Sequence, residues 1–337
     1  MRVKANGIAV VLITSLLLTG FFAFSTSVHA ESKFKETGHS GLNPQGDRSE
    51  IGLFSKTRKN VYNVHGTEET ARLYAEMNNW QLNRGKDLLD FLIKRGYLKK
   101  LKEQDLTIDM GCGTGELTSI IASLVNPAKV IAIDPDPKRI EYARSSIPPS
   151  ITNLKYYRGK AEDLRSITDD SGKDCSIKDH STRAIIMNYV AHWVRPEGKV
   201  QMLQEAARCL EGEGFLAIEC VAPLMPFLEE VSLLAGGPGR ELVGAFYCPT
   251  KDEWGNLLKE TGMVADYIAY KKLPFEFPNL EGEDGFFPWW EGTTNRKFNR
   301  ENIPAPAMKK LKEQYPGKVS FGGTAIRLVA HPQDVSP

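Results

Sequence analysis

A glycine-rich segment lies between two acidic residues, because the sequence DMGCGTGE occupies residues 109–116. An apolar stretch precedes the segment and a helical pattern follows it. Glycines would let the backbone turn tightly there, and the start of the helix would present unpaired N–H groups to a ligand. The pyrophosphate of a dinucleotide gains nothing from adjacent carboxylates, whereas Asp109 and Glu116 favour a cationic ligand. The alternative for the glycines alone is an ordinary turn between a strand and a helix.

A third acidic residue ends the next apolar stretch, VIAID, at Asp134. At this place in an α/β sheet an acidic side chain can accept hydrogen bonds from both hydroxyls of a ribose. The glycine-rich segment and Asp134 together therefore predict a ligand that contains a nucleoside and a positive charge.

The helices and strands that must position these residues are predicted from the sequence pattern, in which strands and helices alternate along the chain. Residues 68–96 are typical of a helix that is interrupted near Gly85 and ends at Gly96. The predicted strands are Leu106 to Asp109, Val130 to Asp134, Leu154 to Arg158, Ala184 to Tyr189, Phe215 to Glu219, Val264 to Ala269 and Ala325 to Ala330. The fold class is therefore α/β, with a Rossmann-like, seven-stranded, mostly parallel sheet and helices on both faces. Residues 166–182 are polar and predict a surface loop.

The segments DMGCGTGE, IAIDPDP and GKAEDL resemble the class I S-adenosylmethionine-dependent methyltransferases over about residues 73–330. The resemblance implies the class I methyltransferase fold, S-adenosyl-L-methionine as cofactor and a methyl-transfer reaction. The implied cofactor-binding residues are Asp109, Gly111, Cys112, Gly113, Gly115, Asp134, Pro135, Ala161, Glu162 and Asn188. Lys160 departs from the family pattern, because many relatives have Asp at this place.

Two further segments, ARLYAEMNNWQ at residues 71–81 and NYVAHWV at residues 188–194, resemble the juvenile hormone acid methyltransferase-like group. The resemblance implies that Gln81 and Trp193 hold a substrate carboxylate. Tyr74, Asn78 and Gln81 share one helical face by their spacing, so Tyr74 is also a predicted substrate-binding residue. A carboxylate is already ionised at neutral pH and needs orientation rather than a base. The alternative is that Trp193 belongs to the core and Gln81 to the surface.

His192 offers a different chemistry, because a histidine beside the cleft could remove the proton of a hydroxyl or amine acceptor. The structural alternative is a packed histidine. The six histidines show no ligand spacing with cysteine or aspartate, so no metal site is predicted. A cluster of aromatic residues suggests a lipophilic acceptor, or else the packing of a long insertion: Phe275, Phe277, Phe286, Phe287, Trp289 and Trp290.

Residues 1–30 have the layout of a secretory signal peptide, with Arg2 and Lys4 before an uncharged stretch and small residues ending at Ala30. Cleavage after Ala30 is expected, and an uncleaved membrane anchor is the alternative. Residues 31–66 predict a polar linker. Residues 67–337 predict a methyltransferase domain with a substrate-covering insertion at about 271–315. The signal peptide places the protein in the secretory pathway or outside the cell.

The charge is nearly balanced, with 43 Lys and Arg against 42 Asp and Glu, which argues against a nucleic-acid partner. The sequence thus predicts a methyltransferase of a small, lipophilic acceptor, with a carboxylic acid preferred and a hydroxylated or amine metabolite as the alternative. A membrane contact is expected only through an uncleaved N-terminal segment. A secreted, catalytically silent methyltransferase fold that acts as a binding protein is the third hypothesis. The intact glycine segment and Asp134 argue against that hypothesis.

Overall fold

The computed structural model describes residues 66–98, 101–222 and 225–333. The predicted signal peptide and all but the last residue of the predicted linker lie outside this part of the chain. Within the described ranges, no helix is both long enough and apolar enough to cross a bilayer.

One sheet of eight strands organises the described chain, in the order β4-β3-β2-β1-β5-β6-β8-β7. The strands are β1 (Leu106–Met110), β2 (Lys129–Asp134), β3 (Leu154–Lys160), β4 (Asp163–Thr168), β5 (Thr182–Asn188), β6 (Leu210–Ala222), β7 (Met263–Phe277) and β8 (Val319–Pro332). Strands β3, β2, β1, β5 and β6 run parallel to one another, whereas β4, β7 and β8 pair antiparallel with their neighbours. The predicted α/β fold class with a mostly parallel core is confirmed.

The predicted number of seven strands is wrong by one, because β4 adds an edge strand beside β3. β4 overlaps the start of the segment that was expected to be a polar loop. Only Leu164 and Ile167 are buried in it, so its sequence, DLRSIT, has little of the apolar alternation that predicts a strand.

The helices connect the strands and cover the sheet. They are α1 (Glu68–Met77), α2 (Asn79–Arg95), α3 (Glu116–Val125), α4 (Pro137–Ser145), α5 (Pro196–Cys209), α6 (Pro226–Leu234), α7 (Gly237–Ala245), α8 (Lys251–Glu260), α9 (Phe286–Thr293) and α10 (Ala305–Gln314). Two 3₁₀ turns occupy Ala191–Trp193 and Arg300–Asn302. The long excursion between β7 and β8 contains α9 and α10.

The N-terminal helical segment breaks at a different residue from the one expected. The helix continues through Gly85, and the break falls at Asn78, between α1 and α2. Gly85 is tolerated inside α2 because a Cβ atom there would stand 2.5 Å from Leu117, so glycine allows α2 to approach α3 closely. Gly96 ends α2 as predicted, in the left-handed conformation that favours glycine.

The core has three parts. Alternate residues of the central strands face opposite sides of the sheet, so that Ile108 and Met187 join one apolar cluster and Ile186 and Ala217 join another. A third, aromatic-rich cluster lies among α6, α9 and the ends of β7 and β8. This third cluster borders the site described next.

Candidate active site

The glycine segment forms a tight turn at the end of β1. Gly111, Gly113 and Gly115 have φ angles of 84°, 56° and 90°, in the left-handed region where side chains other than glycine are strained. The backbone N–H groups of Gly111 and Cys112 both donate to the carbonyl of Ile133 on β2, at 2.8 and 2.9 Å. The turn therefore requires glycine for its shape and is fastened to the neighbouring strand.

Asp134 lies at the end of β2 and connects this turn to α4. One carboxylate oxygen accepts from the backbone N–H of Gly113 at 3.0 Å, and the other accepts from the N–H of Asp136 at 2.9 Å. Burial raises the pKa of Asp134 above its ordinary value. Each oxygen can accept a second hydrogen bond, so the carboxylate is oriented by the protein and still available to a ligand.

Three adjoining cavities meet at Gly111. Cavity A is the largest and extends from Asp134 and Pro135 to an aromatic region beyond Asn188 and Val190. Cavity B is bounded by Asn78, Asp109, Gly111, Cys112, Glu116 and Asn188, among others. Cavity C is bounded by Gly111, Ile133, Pro135, Gly159, Lys160, Ala161, Glu162, Val190 and Val194.

Cavity B is lined by several oxygen atoms that can accept hydrogen bonds. The amide oxygens of Asn78 and Asn188 are buried and have no hydrogen-bond partner within the described residues. Asp109 is buried beside them and accepts a hydrogen bond from the Thr118 hydroxyl at 2.6 Å. Burial raises the pKa of Asp109 to about 7. Buried, unsatisfied acceptors next to a carboxylate form a site suited to a cationic donor such as an ammonium group.

Cavity C is narrow and mainly apolar. Ile133 and Pro135 bound it together with Val190 and Val194, and these side chains suit the flat face of a heterocyclic base. Glu162 also lines the cavity, and burial raises the pKa of its carboxyl group. The predicted residues Ala161 and Glu162 are thus adjacent to the glycine turn.

The walls of cavity A beyond Asn188 are aromatic. They include Trp80, Tyr189, Trp193, Phe246, Phe275, Trp289 and Trp290. Of the six aromatic residues singled out in the sequence, Phe275, Trp289 and Trp290 therefore border the cavity. Phe277, Phe286 and Phe287 do not border it, and all six residues belong to the third core cluster. Packing of the insertion therefore accounts for all six residues, and the lipophilic acceptor stays a prediction.

Gln81 and Trp193 both border cavity A. The Gln81 amide is already engaged, because its Nε2 donates to Thr293 at 3.2 Å and its Oε1 accepts from the Trp289 indole at 3.1 Å. One N–H of the Gln81 amide is left for a ligand. Trp193 packs against Phe246 with ring centroids 4.5 Å apart.

His192 lies on the same 3₁₀ turn as Trp193 and also borders cavity A. It is buried, and its Nδ1 has no hydrogen-bond partner in the described part of the chain. Burial, reinforced by the nearby Lys199, lowers the pKa of His192 to about 3. The imidazole is therefore neutral near pH 7 and can exchange a hydrogen bond with a ligand, but it is a weak proton acceptor.

Several residues that border or support the site were not predicted from the sequence. Asn78 lies on the predicted helical face, yet its bonds to Thr114 and Glu116 depend on the break between α1 and α2. Arg139 on α4 has no local sequence signal, because its partners Gly292 and Asn295 are distant in the chain. Lys199 is close in sequence to its partners Ala191 and Val194, but a lysine at the start of a helix predicts an exposed side chain.

Residues 108–214 match the family model of the methyltransferase domain. The glycine turn, Asp109, Glu116 and Asp134 all lie within this segment.

Known relatives agree with this assignment. The chain is 35% identical over 75 residues to a protein named as a methyltransferase in Invertebrate iridescent virus 6, covering 22% of this chain and 26% of the relative. It is 23% identical over 183 residues to an uncharacterized methyltransferase of Schizosaccharomyces pombe, covering 52% of this chain and 65% of that protein. The matched stretches thus span less than two thirds of either relative.

Two solved structures share the fold. The YcgJ protein of Bacillus subtilis is 18% identical with a TM-score of 0.50, over 74% of this chain and 99% of that structure. A methyltransferase structure from Bacillus halodurans is 16% identical with a TM-score of 0.50, over the same shares of 74% and 99%. The domain therefore has the class I methyltransferase fold, with β4 as an additional edge strand.

The residues present fit S-adenosylmethionine, the cofactor that the sequence resemblance implies. The unsatisfied oxygens of Asn78 and Asn188, with Asp109, suit its ammonium group in cavity B. Asp134 suits the ribose, and cavity C suits the adenine. Among the described residues, no group of His, Cys, Asp and Glu is arranged to hold a metal ion.

Proposed function

We propose that this chain transfers a methyl group from S-adenosylmethionine to a small, lipophilic carboxylic acid. The main support for this proposal is the set of residues that line cavity A. This cavity extends from the cofactor side of the site into an aromatic space. The histidine in that space is a weak base because burial lowers its pKa to about 3, so the space favours an acceptor that does not need His192 to remove a proton. An acceptor that is already ionised meets this condition.

Three titratable residues of cavity A are poorly suited to act as a base at neutral pH. His192 has a pKa of about 3, and burial raises the pKa of Tyr74 to about 12. Asp136 accepts from the backbone N–H groups of Gly66 and Lys138 and from the Asn295 amide, so its carboxylate is occupied. A hydroxyl or amine acceptor that depends on His192 as base is therefore the weaker alternative.

The acceptor side of the cavity would act by orientation and by excluding water. When bound, the cofactor supplies an electrophilic methyl group on a sulfonium. The neutral imidazole of His192, the indole of Trp193 and the remaining N–H of Gln81 are the donors that would orient the acceptor carboxylate. Aromatic walls would keep water away from the reacting atoms and accommodate an apolar body.

The resemblance to the juvenile hormone acid methyltransferase-like group supports the same acceptor class. It rests on residues 71–81 and 188–194, which contain Gln81 and Trp193. Both residues border cavity A, so the two segments meet around one space although more than a hundred residues separate them.

Calorimetric titration of the full chain with S-adenosylmethionine tests the cofactor part of the proposal. We expect binding that the Asp134→Ala variant loses and that Asp252→Ala retains, because Asp252 is an exposed residue of α8. Folded protein without any binding would overturn the proposal and favour the silent-fold hypothesis.

Transfer of a labelled methyl group tests the acceptor part. Lipophilic carboxylic acids are compared with the corresponding primary alcohols and amines of the same chain length. We expect labelled methyl esters from the acids alone. Label in the alcohols or amines, with none in the acids, would replace the carboxylic acid by the alternative acceptor.

A further inference from the structure

Two helices that cover the site pack against each other, and one arginine contacts both. Helix α1 carries Tyr74, whose ring lies against the glycine turn: a Cβ atom at Gly113 would stand 3.0 Å from the Tyr74 ring. Helix α9 carries Trp289 and Trp290, which line the aromatic part of cavity A. Helix α1 therefore covers the cofactor side of the cleft, and α9 covers the acceptor side.

Arg139 of α4 contacts both α1 and the end of α9. Its guanidinium carbon lies 4.0 Å from the centroid of the Tyr74 ring, in a cation–π contact. Its Nη2 donates to the side chain of Asn295 at 2.9 Å and to the carbonyl of Gly292 at 3.4 Å. Gly292 lies in the last turn of α9, and Asn295 lies just after the end of this helix.

Asn295 completes the connection to the cofactor side. Its amide nitrogen donates to Asp136 at 3.0 Å, and the backbone N–H of Asp136 donates to Asp134. Asn295 has a φ angle of 50°, a left-handed conformation that asparagine tolerates better than most residues. A residue in this conformation, with both ends of its side-chain amide engaged, fixes the backbone that follows α9.

The contacts form a continuous route from the cofactor positions to the acceptor cavity. The route starts at Gly113 and Asp134, passes through Tyr74 and Arg139, and ends at Gly292 and Asn295. A ligand that contacts the glycine turn and Asp134 adds interactions at one end of this route. It therefore raises the free energy of separating α9 from α4.

We propose that Arg139 is a positioning residue that fastens α9 over the acceptor cavity in response to cofactor binding, so that the cofactor binds before the acceptor. The proposal rests on the proposed function, because it needs a cofactor at Asp134. It assigns Arg139 no contact with the reacting atoms.

Hydrogen–deuterium exchange of the full chain tests the proposal without an acceptor, and S-adenosylhomocysteine is the probe. We expect the probe to slow exchange of the amides of residues 286–293 about tenfold in the unmodified chain. In Arg139→Ala, at a probe concentration that saturates the variant, the added protection of these amides should disappear. Arg139→Lys keeps the charge but not the planar fork, so it should restore little of the protection.

Two further variants separate positioning from folding. Asn295→Gly removes the side chain and keeps a residue suited to positive φ, so it should also bind the probe without the added protection. Arg144→Ala is the matched control on the same helix, because Arg144 bonds to the Tyr156 carbonyl and to Asp170 rather than to α9. It should keep the full effect.

The outcomes are distinguishable. Probe binding without added protection of residues 286–293 in the unmodified chain would overturn the role of Arg139 and leave the proposed function intact. Full protection in both Arg139→Ala and Asn295→Gly would do the same. Absence of probe binding to the folded, unmodified chain would overturn the proposed function and this inference together.

Discussion

The buried ammonium of Lys199 donates a hydrogen bond to the carbonyl of Ala191, 2.8 Å away. It donates a second hydrogen bond to the carbonyl of Val194, so it ties both ends of the 3₁₀ turn that carries His192 and Trp193. Lys199 forms no salt bridge within the described residues, and burial lowers its pKa to about 8. A buried lysine is unfavourable unless its hydrogen bonds compensate, which explains the tight engagement of the turn.

Replacement of Lys199 by Met should therefore loosen this turn. Met fills a similar volume but leaves two buried carbonyls without their donor. We expect the KM for a lipophilic acid to rise about tenfold while the Kd for S-adenosylmethionine changes little. Lys251→Met, at the exposed start of α8, is the control and should change neither constant. Equal losses of cofactor and acceptor binding would indicate general unfolding instead.

The sequence predicted the parallel core of the sheet because its strands are apolar and follow one another along the chain. It also predicted the glycine turn and Asp134, where residue type alone specifies a backbone shape or a carboxylate. The edge strand β4 was missed because its exposed residues are polar. The connection of Arg139 to Asn295 was missed because 156 residues separate the two partners, and only the folded chain brings them together.

The break between α1 and α2 also depends on a contact between residues far apart in the chain, so the sequence did not predict its position. Asn78 was placed on the correct face by helical spacing, but the spacing assumed an unbroken helix. The Asn78 amide instead donates to Glu116 at 2.8 Å, and the chain leaves the helical path to make this contact. A tertiary hydrogen bond therefore decides where the helix breaks, whereas Gly85, the weakest helix former in the segment, is accommodated by close packing.

The Asp109→Asn variant should change the pH dependence of stability. Burial raises the pKa of Asp109 to about 7 from an ordinary value of 3.8, so the unfolded chain ionises first as pH rises. The stability contributed by the protonated group is complete below pH 3.8 and is lost as pH rises through 7. Without cofactor, we expect the variant to be more stable at pH 8 by roughly 2 kcal/mol and equal near pH 4. Urea unfolding at both pH values measures the difference.

Cofactor binding should show the opposite preference at the same residue. An ammonium group in cavity B favours the ionised carboxylate, so the affinity of the unmodified chain for S-adenosylmethionine should increase between about pH 5 and pH 7. The Asn variant should bind more weakly, with little change over this range. A variant that binds as tightly as the unmodified chain at pH 7 would place the ammonium elsewhere.

His192 should influence acceptor binding without introducing a titration near neutral pH. Its pKa of about 3 keeps the imidazole neutral across the accessible range, so kcat should show no inflection near the ordinary histidine pKa. His192→Phe keeps an aromatic ring and removes the hydrogen-bonding nitrogens, so the acceptor KM should rise. His192→Asn keeps a donor and should retain more of the affinity. An inflection near pH 6.5 that vanishes in both variants would instead identify His192 as a base.

Gly85 and Gly255 allow a matched test of the packing between α2 and α3. Alanine is the better helix former at both positions, by about 1 kcal/mol. At Gly85, however, the added Cβ would stand 2.5 Å from Leu117 and 3.0 Å from the amide nitrogen of Asn188. At Gly255 in α8 nothing lies within 4 Å of the added atom in the described structure.

Gly85→Ala should therefore lower the free energy of unfolding by about 1–3 kcal/mol, because the strain exceeds the gain in helix propensity. Gly255→Ala should raise it by about 0.5–1 kcal/mol. Because the displaced atoms include Asn188 beside cavity B, Gly85→Ala should also weaken binding of S-adenosylmethionine, whereas Gly255→Ala should leave it unchanged. Urea unfolding and calorimetry measure the two effects, and equal stabilisation by both substitutions would contradict the close approach of α2 to α3.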